Sequence, residues 1–151
     1  MSKLLILSAG VSEDSNNTKL AKKLNKYLNE EGIPNDIYEN LHENIPFLLD
    51  NQEEVPKKIL EMRKSLESAD KIIIFSPVYN GGFLAHLKNT LDWLSLSYDG
   101  YKFNFLFKDK TVGVITSVRG GGGNAQNAFK ILSAQLLNYG LRVFEEFHLI
   151  T

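Results

Sequence analysis

The 151-residue chain contains no cysteine, which excludes several kinds of chemistry. Disulfide bonds, thiolate catalysis, zinc–thiolate sites and cysteine-ligated iron–sulfur clusters all require the missing thiol. A long apolar run is also absent, since none approaches the ~20 residues of a membrane span. No basic and then apolar leader precedes the first strand-like run, which begins at Lys3. We therefore expect a soluble, cytoplasmic protein with no membrane partner.

The chain likewise has no excess of charge of one sign. Its 17 Lys and Arg residues oppose 18 Asp and Glu residues, for a formal net charge of -1. No extended positive field is available to hold a phosphate backbone, so nucleic acid is not an expected partner. A chain of this length hides about 69% of its extended surface, which is enough for one core. We expect a single domain over residues 1–151.

Strand-like apolar runs alternate with apolar residues at helical spacing. The order βαβαβαβαβ predicts a parallel sheet covered by helices, in which ligands bind beyond the carboxyl ends of the strands. The segments to consider are therefore those that follow the first, third and fourth strands. The predicted strands are residues 3–9, 36–39, 71–76, 111–117 and 141–150, and the predicted helices lie around residues 20–28, 55–69, 84–94 and 125–136.

The first of these loops, residues 8–18, reads SAGVSEDSNNT and leads into a helix. Its hydroxyl and amide side chains surround a helix N-terminus, where free N–H groups favour an anion. It lacks the Gly-Lys-Ser/Thr ending of a P-loop. A helix cap at Ser15, Asn16 or Asn17 explains this loop equally well. If a phosphate binds here, the residues expected to hold it are Ser8, Ser15, Asn17 and Thr18.

The second loop, residues 76–83, reads SPVYNGGF. Gly81 and Gly82 would let the backbone approach a flat ligand closely. Tyr79 could lie against a ring, and the amide of Asn80 could both donate to and accept from ring heteroatoms. The alternative is an ordinary turn into a helix, with Tyr79 packed on the surface.

The third loop, residues 117–124, is rich in glycine. The spacing Gly120-x-Gly122-x-x-Ala125 also fits a dinucleotide-binding fingerprint, with acidic residues at 145 and 146 on the next predicted strand. A dinucleotide-binding domain would need further parallel strands after that acid. Few residues remain there, so this interpretation is the weaker one.

Together the three loops resemble those of the NADPH-dependent FMN reductase family, flavodoxin-like oxidoreductases that include azo, quinone and chromate reductases. Ser15-x-Asn17-x-x-Leu20-Ala21 is similar to the family's phosphate-loop ending. Pro77-x-Tyr79-Asn80-Gly81, followed by Leu87-Lys88-Asn89-x-Leu91-Asp92-Trp93, is similar to its flavin signature. The segment from Ser117 to Gln126 resembles the family's glycine-rich flavin loop.

The resemblance implies a flavodoxin-like three-layer α/β sandwich with a five-stranded parallel sheet in the order 2-1-3-4-5. It implies FMN as cofactor, NADPH or NADH as co-substrate, and a small acceptor such as a quinone, an azo compound, free flavin or a metal ion. Because the flavin carries the chemistry, no side chain is expected to act as acid or base. A flavodoxin-type electron carrier is the alternative function. The residues expected to contact FMN are Ser8, Ser12, Ser15, Asn17, Thr18, Pro77, Val78, Tyr79, Asn80, Gly81, Ser117, Gly120 and Gly121.

Three departures from the family pattern are also compatible with a chain that no longer binds flavin. Ser12 stands where an arginine is often found, so phosphate charge would be neutralised less directly. Val78 stands where a glutamate is common. The family usually continues into a closing helix after the fifth strand, whereas this sequence ends at Thr151. We therefore expect one face of strands three to five to be uncovered.

The remaining expectations concern assembly, metal and co-substrate. The aromatic loop at residues 98–107 could wall an acceptor pocket or form a dimer contact. The fifth predicted strand is apolar on both faces, and such strands are normally packed on both faces. A second copy of the chain could cover the open face, so we expect a homodimer or a dimer of dimers. His42 and His148 have no neighbours at metal-ligand spacing, so no metal site is expected. Arg119 and Lys88 are the candidates for an NADPH 2′-phosphate.

Overall fold

The computed structural model describes residues 2–119, 124–145 and 148–150. Four helices alternate with strands along these residues, and none of the four is long and apolar enough to cross a membrane. The strands are β1 (Leu4–Ser8), β2 (Asn35–Tyr38), β3 (Lys71–Phe75), β4 (Thr111–Ser117), β5 (Arg142–Val143) and β6 (His148–Ile150). The helices are α1 (Asn16–Glu30), α2 (Lys57–Ser68), α3 (Ala85–Ser95) and α4 (Ala125–Asn138).

All strand pairs in the sheet are parallel, and the strand order is β2-β1-β3-β4-β5, with β6 also paired to β4. This order confirms the expected flavodoxin-like sheet. It differs from the 3-2-1-4-5-6 order of a dinucleotide-binding domain, which the glycine spacing alone would have allowed. The central strands β1 and β3 are apolar on both faces, as buried parallel strands require.

The fifth position of the sheet is occupied by two short strands, whereas the sequence predicted one continuous strand over residues 141–150. β5 pairs with the start of β4, at Thr111 and Val112. β6 pairs with the end of β4, from Ile115 to Ser117. From Val143 to His148 the chain advances by five residues, whereas their partners on β4, Val112 and Ile115, are three residues apart.

The two faces of the sheet are covered unequally. Helices α2, α3 and α4 bury the larger core on one face. On the other face, α1 packs over the smaller core around Ile6 and Phe75. Beside α1 an open groove of about 510 Å³ runs over Ile73, Gly113 and Ile115, and Phe144 at its edge is 48% exposed. The described residues thus leave uncovered the face for which the sequence predicted no helix.

Candidate functional site

A cleft opens where the three central strands end. β1, β3 and β4 end at Ser8, Phe75 and Ser117, and the loops that follow them enclose about 470 Å³. This volume lies within the usual range of small-molecule sites, and the position is the one at which parallel α/β sheets bind ligands. The cleft is lined by Gly10, Val11, Ser12, Asp14, Ser15, Asn16, Asn17, Pro77, Val78, Tyr79, Ser117, Val118 and Arg119.

The first loop forms a tight polar cradle in front of α1. Ser15 is the N-cap of the helix, and its Oγ accepts a hydrogen bond from the backbone N–H of Thr18 at 3.3 Å. The hydroxyl oxygens of Ser8 and Thr18 lie 2.9 Å apart, and Ser8 is fully buried. Two hydroxyls that share one hydrogen bond leave one O–H free to donate to a ligand. The cradle therefore offers a donor beside the free N–H groups of a helix start.

Gly10 makes this cradle possible, and the sequence reasoning did not select it. A Cβ added at Gly10 would lie 2.1 Å from Ser15 Oγ and 2.7 Å from Thr18 Oγ1. Any side chain at this position would therefore fill the space between the strand end and the helix N-terminus. The signal that could have identified it is its place, between a buried strand and the hydroxyl-rich helix start.

Asn17 joins the first loop to the third. Its side-chain Nδ2 donates to the backbone carbonyl of Ser117 at 3.2 Å, and its Oδ1 accepts from the backbone N–H of Ser117 at 2.9 Å. The side chain is buried, with 4% of the residue exposed. Both polar atoms of the amide are thus occupied by the end of β4. The residue lines the cleft as predicted, and its amide fixes the position of the loops while using one of its two N–H donors.

The second loop contains a tight turn of the kind that asparagine and glycine favour. Tyr79 and Gly82 exchange two backbone hydrogen bonds, each of 2.9 Å. Between them Asn80 has φ 50° and Gly81 has φ 76°, as in a type I′ turn. The carbonyl of Gly81 also accepts from Asn127 Nδ2 at 2.9 Å, which ties the turn to the first turn of α4. Tyr79 remains 48% exposed at the cleft.

The two glycines of this turn have different roles. Gly81 requires a positive φ that an ordinary side chain adopts only with strain. Gly82 does not, and a Cβ there would meet only the carbonyl of Tyr79, at 3.6 Å. The sequence predicted a close backbone approach at both positions. The structure gives a conformational reason for glycine at Gly81 alone.

Charge at the mouth of the cleft is mixed. Lys19 donates a hydrogen bond to the carboxylate of Asp14, and this bond together with the lysine's charge lowers the pKa of Asp14. Arg119 also lines the cleft, is exposed, and lowers the same pKa further through its charge. Arg119 therefore places a positive charge at the mouth of the cleft, which is what a contact with a nucleotide phosphate requires.

The predicted contact residues fall into four groups. Seven line the cleft directly: Ser12, Ser15, Asn17, Pro77, Val78, Tyr79 and Ser117. Ser8 and Thr18 form the cradle behind Ser15. Asn80 and Gly81 form the neighbouring turn. Gly120 and Gly121 lie outside the described residues.

Leu87 to Trp93 on α3, the second part of the segment that resembles the family's flavin signature, support the scaffold. Asn89 accepts a hydrogen bond from the N–H of Leu48 at 2.9 Å and donates to the carbonyl of Pro46 at 2.9 Å. One turn later on α3, Trp93 Nε1 donates to the same carbonyl at 2.8 Å, and the indole is fully buried. These side chains hold the segment between β2 and α2 against α3. They shape the scaffold beside the cleft and do not line it.

Lys88, considered for a nucleotide phosphate, is bound elsewhere. Its Nζ donates to both carboxylate oxygens of Asp92, one helical turn away, at 2.8 Å each. Asp92 also accepts from the hydroxyl of Tyr139 at 2.6 Å. Burial, and then the bond to Asp92, raise the pKa of Tyr139 far above its usual value. Lys88 therefore belongs to a network between α3 and the end of α4.

The cradle and the turn fit a ligand that has an anionic end and a planar body. The free hydroxyl donor and the helix start lie at one end of the cleft, and Pro77, Val78 and Tyr79 form a wall at its other side. The Gly10 site, which any Cβ would fill, brings these donors close together. FMN has this combination of a phosphate and a planar ring system, and the residues present fit it.

Comparison with known proteins agrees with this geometry. Residues 2–141 match the family model for NADPH-dependent FMN reductase. An uncharacterised protein of Mycoplasma pneumoniae (MG342 homolog) is 32% identical over 124 residues, covering 80% of this chain and 72% of that protein. An FMN-dependent NADH:quinone oxidoreductase of Mycoplasma mycoides subsp. mycoides is 31% identical over 68 residues, covering 45% of this chain and 33% of that protein.

Solved structures show the same fold at low sequence identity. The NAD(P)H:acceptor oxidoreductase FerB of Paracoccus denitrificans is similar with a TM-score of 0.77 and 22% identity, over 96% of this chain and 76% of that one. A flavodoxin from the domain Archaea gives a TM-score of 0.61 and 12% identity, over 97% of this chain and 82% of that one. The family match over nearly the whole chain goes beyond this likeness of fold and confirms the expected cofactor and enzyme class: the chain belongs to the NADPH-dependent FMN reductase family and is an FMN-using oxidoreductase.

Proposed function

We propose that residues 1–151 form a single FMN-binding domain of a cytoplasmic oxidoreductase that takes hydride from NADPH or NADH and reduces a small acceptor. The acceptor classes are quinones, azo compounds, free flavin and metal ions. The observation that carries this proposal is the cleft at the ends of β1, β3 and β4, with the cradle of Gly10, Ser15 and Thr18 at one end. Membership of the NADPH-dependent FMN reductase family indicates that the cofactor is FMN.

The phosphate end of FMN would lie at the start of α1. The shared hydroxyl pair of Ser8 and Thr18 has one O–H to donate, and the first N–H groups of the helix add a favourable dipole. Asn17 holds the end of β4 against this helix start through its amide, and its second N–H is the donor that we propose for the phosphate. Without an arginine at position 12, hydrogen bonds rather than a local positive charge would carry most of the affinity.

The ring end would lie between the second and third loops, against Pro77 to Gly81 and with its far edge at Ser117 to Gly121. Bound FMN supplies the hydride and electron chemistry itself. The chain's part is to fix the ring: the Asn80–Gly81 turn, held by Asn127, presents backbone groups at a set distance. The exposed ring of Tyr79 borders the open side, where a nicotinamide and then an acceptor could stack.

For the co-substrate, Arg119 is the cation that the described residues place at the cleft mouth. A planar guanidinium suits a pyrophosphate or a 2′-phosphate. Lys88 is committed to Asp92 and contributes no free charge there. We propose Arg119 as the nucleotide-phosphate contact. Preference for NADPH over NADH should then fall in an Arg119→Gln variant.

A spectrum and a paired titration test the cofactor assignment. The purified protein should show flavin absorption bands or acquire them on addition of FMN. Riboflavin, which lacks the phosphate, should bind at least about tenfold more weakly, because it loses hydrogen bonds to a charged group. Equal affinity for the two compounds would contradict the phosphate position, and a protein that ignores FMN would contradict the whole proposal.

An anaerobic assay separates the proposed enzyme from an electron carrier. With FMN bound, NADPH or NADH should bleach the flavin within the mixing time of a stopped-flow or manual experiment, and a quinone or azo compound should restore the colour. A flavodoxin-type carrier would keep its oxidised spectrum under the same conditions until a separate reductase is added. The same experiment on each acceptor class identifies the substrate.

A second copy of the chain would cover the aromatic loop at residues 98–107, which leads into the start of β4 and therefore lies at the edge of the sheet opposite the cleft, not beside the acceptor. Phe103 is 61% exposed and Phe105 is 47% exposed, and aromatic rings at the surface are enriched in protein interfaces. Two-fold association is the commonest closed symmetry, so we propose a homodimer or a pair of dimers. Light scattering over a concentration series should give a mass of at least twice 17.1 kDa. A stable monomer at tens of micromolar would refute this part of the proposal.

A further inference from the structure

A second cavity lies at the opposite edge of the sheet from the cleft. It encloses about 790 Å³ between α2 and the segment that follows α3, near the amino ends of β3 and β4. Val55 and Leu60 form an apolar wall, and the rings of Tyr98 and Tyr101 form the facing wall. Its size is that of a small-molecule site, and four of its eight lining residues are charged.

A buried guanidinium lies in this cavity without a counterion. Arg63 is only 5% exposed, and its Nε is buried with no hydrogen-bond partner. Among the described residues, no carboxylate lies within ion-pair distance of it. The ring of Tyr98 covers it, with its centroid 4.1 Å from the guanidinium carbon. Buried cations normally have a hydrogen-bonded anion, because desolvation costs several kcal/mol otherwise.

The surrounding groups hold this guanidinium in place and leave its donors unused. Tyr101 stacks on Phe105 with centroids 4.5 Å apart and tilts against Tyr98 at 5.3 Å. The hydroxyl of Tyr101 donates to Glu67 at 3.1 Å, so that carboxylate is engaged away from Arg63. Burial lowers the pKa of the Arg63 guanidinium, although the charges of Tyr98 and Asp99 oppose this. The aromatic wall is thus prearranged around an unpaired cation.

We infer that this cavity binds a small planar monocarboxylate, whose carboxylate pairs with Arg63 and whose ring packs between Tyr98 and Leu60. The guanidinium presents a fork of donors that matches a carboxylate. Lys64 adds a second positive charge at the rim, but Glu67 and Asp99 also line the cavity. Two cations and two carboxylates line the cavity, so no excess positive charge offsets the desolvation of a second negative charge on a dianion such as a phosphate monoester, and a monoanion fits better. This site is separate from the FMN cleft and does not depend on the proposed function.

Benzoate is a suitable probe, with benzamide as its uncharged isostere and phenyl phosphate as the dianion. Calorimetry on the FMN-loaded protein should show saturable benzoate binding in the millimolar range or tighter, with benzamide at least about tenfold weaker. Backbone chemical shifts should move at Tyr98 and Tyr101 and stay fixed at residues 10–17. The flavin absorption bands should stay unchanged, because a benzoate stacked on the flavin would perturb them.

Arg63→Met keeps the length of the side chain and removes its charge, and should weaken benzoate binding about tenfold or more. Lys57→Met, on the same helix but outside the cavity, is the matched control and should bind normally. Absence of saturable binding up to about 20 mM, equal binding of benzamide, shifts confined to the cleft, or normal binding by Arg63→Met would each overturn the inference. The shift mapping uses the unaltered chain, so the test stands even if Arg63→Met does not fold. Flavin-free protein should give the same result, which separates this inference from the FMN proposal.

Discussion

Replacing Gly10 with alanine is the sharpest test of the cleft, because a single methyl group would fill the cradle. The added Cβ would lie 2.1 Å from Ser15 Oγ and 2.7 Å from both Ser15 Cβ and Thr18 Oγ1. No rotation of Ser15 relieves a clash that involves its own Cβ as well as its hydroxyl. The helix start must therefore move away from the end of β1.

The expected cost has two parts. Displacing Ser15 removes the N-cap hydrogen bond to Thr18, worth about 1 kcal/mol. Overpacking by one methyl group adds about 1–3 kcal/mol. The free energy of unfolding should fall by roughly 2–4 kcal/mol, which corresponds to a Tm lower by roughly 4–16 °C for a domain of this size. FMN affinity should fall at least about tenfold, since the shared hydroxyl donor moves out of reach of the phosphate.

The assay is a thermal melt together with an FMN titration followed by fluorescence quenching. Gly113→Ala is the matched control, because a Cβ at Gly113 meets nothing within 4 Å. That variant should bind FMN normally. Riboflavin affinity should change less than FMN affinity in Gly10→Ala, since only FMN carries the phosphate. A Gly10→Ala protein with unchanged Tm and unchanged FMN affinity would refute the position of the cradle.

Three further substitutions test contacts around the cleft and the core. Asn17→Ala leaves the N–H of Ser117 without its acceptor, so we expect a loss of about 1–3 kcal/mol in unfolding free energy together with weaker FMN binding. Gly81→Ala, at φ +76°, should cost about 1–2 kcal/mol through backbone strain. Tyr139→Phe should cost about 1.5–3 kcal/mol at neutral pH through the lost bond to Asp92. This last difference should shrink as the pH rises above about 10, because the folded state holds the Tyr139 proton more tightly than the unfolded state does.

The controls for these variants come from neighbouring positions. Asn16→Ala changes an exposed amide in the same turn as Asn17 and should have little effect on stability. Gly82→Ala, without a positive φ, should be milder than Gly81→Ala. For Tyr139→Phe, urea unfolding at pH 7 and pH 10.5 gives the comparison. A stability difference that grows between these two pH values would contradict the assigned direction of the pKa shift.

Local sequence pattern was sufficient for most of the scaffold. Apolar residues at helical spacing identified all four helices, and the run from Thr111 to Ser117 matches β4 at both ends. It failed at the fifth position of the sheet, where apolar residues occur on both alternating faces of residues 141–150. Apolar content does not encode register, so it could not show that two separate short strands pair with different parts of β4.

The candidate site divides in a similar way between local and distant information. The loops could be located from the strand order, and the Ser15 cap from its neighbours in the chain. The role of Asn17 could not, because its partner Ser117 is 100 residues away. The sequence predicted the same phosphate-binding role for Asn17 and Thr18. In the fold, the amide of Asn17 binds the backbone of Ser117, whereas the hydroxyl of Thr18 lies in the cradle.

The burial of Arg63 could not be predicted from its residue type. Its neighbours Ile59, Met62 and Leu66 mark the buried face of α2, and position 63 lies four residues after Ile59 on that same face. A charged residue in such a place is usually expected to extend to solvent. Here the ring of Tyr98 covers the guanidinium, and no ion pair among the described residues offsets its burial. If this arrangement is maintained for binding, Arg63→Met should be at least as stable as the unaltered chain, since burying a methionine there removes the desolvation cost. A thermal melt measures this directly, and a clear loss of stability would mean that the guanidinium already has sufficient partners within the fold.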